Sequence, residues 1–126
     1  MPKIEVGYGE LVDKWSILCI KRDKFKGTDK WNNIAIEMSE LEGEVNSAFE
    51  NSEVYKIYKK LLECNLRLWA IEDELRRCER DRNFQKYFVE LARRVYLEND
   101  KRAHLKRKIN ELTHSKIIEE KSYEVY

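Results

Sequence analysis

Apolar residues recur at alternating spacings of four and three at Ile57, Leu61, Cys64, Leu68, Ile71, Leu75 and Cys78. This spacing predicts one long helix over about Glu53–Arg82 with a continuous buried face. One residue further on, at the same spacing, run Asn65, Trp69, Glu72, Arg76 and Glu79. The second stripe lies about 40° around the helix from the first, so its polar groups are expected to be half-buried at the margin of the core. A charge there needs a partner or a ligand, because a buried unpaired charge costs several kcal/mol.

The same reasoning predicts three more helices. Leu11, Val12, Trp15, Leu18, Cys19 and Phe25 form the buried face of a first helix over about Glu10–Lys26, with Glu10, Asp13, Lys14, Lys21 and Lys24 opposite and Gly27 ending it. Gly7 and Gly9 mark a turn or flexible entry. Ile34, Met38, Leu41, Val45 and Ala48 carry a second helix over Lys30–Phe49, with Thr28 or Asp29 as caps, and Asn51 and Ser52 break and cap the chain before the long third helix. After an interruption near Asn83, Phe84, Phe88, Leu91, Val95, Leu105, Ile109 and Leu112 carry a fourth helix to about Leu112, in which Glu98 and Arg102 fill the central slots of the buried stripe. Lys116–Tyr126 reads as a short helix or arm docked through Tyr123 and Tyr126. Short connections favour antiparallel neighbours, so the expected fold is all-α: a single domain over residues 1–126, a helical bundle built on a long antiparallel hairpin of helices 3 and 4 with two shorter helices packed on it.

Composition agrees with this picture. The 126 residues include one Pro, four Gly and 39% charged residues, a balance that leaves few turns for a β architecture. The 25 basic and 24 acidic side chains give a formal net charge of +1, so no overall field draws the chain to nucleic acid or an anionic membrane. No apolar run has a membrane helix's length, the first residues lack a secretory signal, and Cys19, Cys64 and Cys78 all fall on apolar faces; a cytoplasmic protein with reduced thiols is expected.

The strongest candidate chemistry is the polar seam between the long helices: Asn65, Trp69, Glu72, Asp73, Arg76 and Glu79 with Arg93, Tyr96, Asn99, Asp100 and Arg102. With Asn83 as the turn, Glu72 and Arg76 are expected opposite Arg93 and Tyr96. The arginines suit bidentate contact with an anionic small molecule and the carboxylates suit hydrogen-bond acceptance or general-base work. The competing reading is an internal salt-bridge lattice that sets helix register. Glu10 and Asp13 form an E-x-x-D and Glu37 and Glu40 an E-x-x-E, together an alternative magnesium or manganese site of a nucleotide hydrolase, read against an ordinary solvated face. No cofactor is expected otherwise: Glu111 and His114 make a lone E-x-x-H, and the cysteines and histidines lack zinc spacing. Lys101, Arg102, His104, Lys106, Arg107 and Lys108 spread around a whole helix among acids, a poor nucleic-acid face. Ala92 and Ala103 leave room for a neighbouring helix, and a homo-oligomer is the third reading.

Longer phrases carry a resemblance: G-E-L-V-D-K at Gly9–Lys14, N-L-R-L-W-A-I-E-D-E-L-R at Asn65–Arg76, L-A-R-R-V-Y-L-E-N-D-K-R-A-H-L-K-R-K-I-N at Leu91–Asn110, and E-K-S-Y at Glu120–Tyr123. Over nearly its whole length the chain resembles a small family classed as a domain of unknown function, with members in bacteria and bacteriophages, whose bacterial copies often lie among glycosyltransferase and surface-polysaccharide genes. The resemblance implies that the family pattern falls on Glu10, Asp13, Lys14, Asn65, Trp69, Glu72, Asp73, Arg76, Arg93, Tyr96, Asn99, Asp100, Arg102, Lys106, Asn110, Lys121 and Tyr123. This largely polar set points to a site. Trp15 departs from it, standing where a small aliphatic residue is expected.

Overall fold

Four helices account for the regular structure in the computed structural model, which describes residues 1–126: α1 (Tyr8–Lys24), α2 (Lys30–Phe49), α3 (Ser52–Arg80) and α4 (Lys86–Leu112), with no strand. Their ends follow local chemistry. Gly27 takes φ 79 just after α1, and the Asn51 side chain accepts hydrogen bonds from the Glu53 and Val54 amides at the start of α3. Arg82, at φ 53, and a 2.8 Å hydrogen bond from the Asn83 amide to the Cys78 carbonyl close α3. Residues 113–126 form an irregular arm without helix. No helix is long and apolar enough to cross a membrane.

The α3 stripe is internal: Leu61, Cys64, Leu68, Ile71 and Cys78 are buried. Around it the apolar core falls into three clusters. Val12, Ala48, Val54, Tyr58, Leu61 and Ile109 draw all four helices together, Leu18, Ile34 and Met38 join α1 to α2, and Ile71, Cys78 and Leu91 join α3 to α4. α4 meets α3 at Tyr87–Glu74 near the connecting turn and at Glu98–Arg67 further away, while α2 packs mainly on α1 and α3.

Between the first and third clusters the interior is polar. Asp13, Ser16, Asn65 and Glu98 are all buried there. α1 reaches this level because its first turn lies very close to α4. A Cβ on Gly9 would stand 2.3 Å from the Lys106 carbonyl oxygen, and the Gly9 amide donates to Asn110 Oδ1 at 2.8 Å. Gly9 therefore permits helix contact, a different role from the flexible entry expected of it, and α1 begins two residues before the expected start.

Candidate functional site

The buried polar layer centres on Asp13, the residue the sequence pattern assigned to the solvated face of α1. It is only 2% exposed. Arg102 grips its carboxylate with two hydrogen bonds, Nε to Oδ1 at 2.9 Å and Nη2 to Oδ2 at 2.6 Å. Asn65 Nδ2 donates to the same Oδ1 at 2.9 Å and to Ser16 Oγ at 2.7 Å, and Ser16 in turn donates to the Asp13 carbonyl. The bidentate contact with Asp13 raises the Arg102 pKa above its usual value against the opposing effect of burial. Every buried side-chain nitrogen and oxygen has a partner.

A second network lies beside it. Burial pushes the Glu98 carboxyl upward, but hydrogen bonds from Arg67 at 3.0 Å, from the Cys64 thiol and from Lys101 outweigh this and hold its pKa below the ordinary value. The Cys64 thiol is pushed up to about 11 by burial and by its hydrogen bond to Glu98. It is a packing thiol, with little thiolate at neutral pH. Lys106 bridges Glu10 at 3.0 Å and Glu119 at 2.9 Å, and these contacts raise its pKa although burial opposes them.

Two clefts gather most of the sequence-predicted site residues. The first, of about 360 Å³, is lined by Ile17, Asn65, Leu68, Trp69, Glu72, Asp73, Arg76, Asn99 and Arg102. Its inner wall includes Asn65 and Arg102, both bound to Asp13 behind them, and its rim carries Glu72, Asp73, Arg76 and Asn99. Arg76 is exposed and approaches only Glu72, at 3.9 Å. Asn99 Oδ1 accepts a 3.5 Å hydrogen bond from Arg102, which leaves the Asn99 amide nitrogen without an acceptor in the chain. Trp69 is half-buried and edge-on to Phe25 at 6.3 Å between ring centroids. The second cleft, of about 600 Å³, lies between α4 and the arm and is lined by Val95, Tyr96, Asn99, Asp100, Lys121, Tyr123, Glu124 and Tyr126. Asn99 borders both.

The expected seam is therefore divided. Asn65, Trp69, Glu72, Asp73, Arg76, Asn99 and Arg102 come together, whereas Tyr96 and Asp100 face the second cleft and exposed Arg93 lines neither. Glu72, Arg76 and Glu79 are exposed and not half-buried, because α1 shields only the Asn65 end of the stripe. The pairing of Glu72 and Arg76 with Arg93 and Tyr96 is also displaced: across the turn Glu74 meets Tyr87, and Glu72 and Arg76 share a shallow groove with Phe88, Ala92 and Val95. Glu10 and Asp13 do not converge as metal ligands, since Lys106 takes the first and Arg102 the second, and Glu37 pairs with Lys14 at 2.8 Å. No three His, Cys, Asp or Glu side chains are grouped to hold a metal. In the basic run, Lys101, Arg102, Lys106 and Arg107 each pair with a carboxylate. The site residues that sequence reasoning missed are Ser16 and Ile17; their sole signal is position, three and four residues after Asp13 on one helical face.

The chain matches no protein-family model, no curated protein and no solved structure among those compared.

Proposed function

We propose that α3 and α4 act as an antiparallel hairpin on which α1 and α2 are packed, and that the protein is a cytoplasmic binding or accessory module holding a phosphorylated, sugar-nucleotide-like ligand in the Trp69 cleft. One observation carries the reading: a fully hydrogen-bonded wall stands beside a rim whose polar groups, Arg76, Asn99 and Asp73, make few contacts within the chain, together with the half-buried Trp69 ring. Preformed walls with a few convergent polar groups suit small-molecule binding, and the cleft volume lies in the range of such sites. Each rim group has a chemical counterpart in that ligand class. Arg76 suits a phosphate, Glu72 and Asp73 accept from sugar hydroxyls, and Trp69 offers an apolar face to a ring. Arg102 has a positioning role here, its guanidinium committed to Asp13.

Thermal unfolding with a panel of nucleotides, sugar nucleotides and inorganic phosphate tests this. A binder at a hundred times its Kd adds about 2.7 kcal/mol of stability, a readily measured shift. Trp69→Ala and Arg76→Ala are expected to weaken that binder about tenfold each with unchanged circular dichroism. The reading is overturned if no member of the panel shifts the transition, or if both variants bind as the parent does.

A further inference from the structure

We infer that the cleft between α4 and the C-terminal arm binds an organic ammonium cation, a site separate from the Trp69 cleft and independent of its reading. Three tyrosines line it although sequence separates them: Tyr96 on α4, and Tyr123 and Tyr126 on the arm. All three are exposed, Tyr123 to 74% and Tyr126 to 75%, and Tyr96 and Tyr126 stand edge to face with centroids 5.3 Å apart. Clustered exposed aromatics of this kind are what a cation needs, since the electron-rich ring faces attract positive charge within about 6 Å.

The charges agree with that sign. Asp100 and Glu124 line the cleft against a single cation, Lys121. Tyr126 donates its hydroxyl hydrogen to Asp100 Oδ2, which ties the arm to α4 and leaves Asp100 Oδ1 open. Lys121 already lies over one of these rings, its ammonium 5.7 Å from the centre of Tyr123. A ligand ammonium takes the remaining ring faces and the Asp100 carboxylate. With about 600 Å³ the cleft has room for an ammonium carried on a larger organic body.

Choline and 3,3-dimethylbutan-1-ol test the inference, for they share one shape and differ in charge. Amide chemical shifts of the intact protein, followed at constant ionic strength, are expected to move saturably with choline at residues 96–100 and 121–126. The neutral alcohol should bind about threefold more weakly or worse, the ratio expected of a cation over exposed aromatic faces. Tyr96→Leu and Asp100→Asn should each weaken choline several-fold without loss of helix, while Arg76→Ala, in the other cleft, should leave it unchanged. Equal binding of alcohol and choline, absence of saturable shifts, or choline binding indifferent to both Tyr96→Leu and Asp100→Asn overturns the proposal.

Discussion

Asp13 shows how one residue can organise an interior. Its carboxylate accepts three hydrogen bonds from two other helices, from Arg102 on α4 and Asn65 on α3, and so ties α1 to both at once. Asp13→Ala removes the only ion-pair partner of a half-buried guanidinium and is expected to destabilise the fold by about 3 kcal/mol, read from urea unfolding. Replacing both partners, as in Asp13→Leu with Arg102→Met, should cost less than the sum of the single changes, since no charge is then left unpaired. Equal additivity would show that the pair is not coupled. Gly9 acts at the same scale, since its missing side chain allows α1 to approach within hydrogen-bonding reach of Asn110.

Between elements, Glu98 is the main polar contact of α4 with α3, through Arg67 and Cys64. Its folded-state pKa is lowered from an ordinary glutamate value of about 4.3. The ionised form is therefore favoured by folding, and this contribution is present above that ordinary value and lost as pH falls through the lowered folded value. Urea unfolding between pH 6 and about pH 2 should show the parent losing stability more steeply in acid than Glu98→Gln, so that the two converge at the acidic end. Parallel curves would place the acid-sensitive groups elsewhere. At the amino end of α3, the Asn51 cap is legible from sequence because capping is a contact between neighbours in the chain.

For the whole molecule, the arm is an addition to a core already complete within α1–α4. All three apolar clusters lie before residue 113, and the arm is held by Glu119 to Lys106, Glu120 to Arg107 and Tyr126 to Asp100, contacts at or near the surface. A chain ending at Ser115 should keep its helical circular dichroism and lose only about 1 kcal/mol, because exposed ion pairs contribute little and Lys106 retains Glu10. Collapse of the helical signal would show that the arm is part of the core.

Sequence by itself determined the all-helical class, the four main helices with their ends to within a few residues, and the buried stripe of α3, and it left Lys116–Tyr126 open between a short helix and an arm. These follow from periodicity and capping, which act within a few residues of the chain. It also marked the residues of the polar seam without ordering them. Only the tertiary structure decided that Asp13 is internal while Glu72 and Arg76 are exposed, for a helix turn of mixed polarity has no inside until another helix covers it. The approach of α1 through Gly9 covers the Asn65 end of the stripe, leaves the Arg76 end open, and so divides one expected seam into a closed lattice and a cleft.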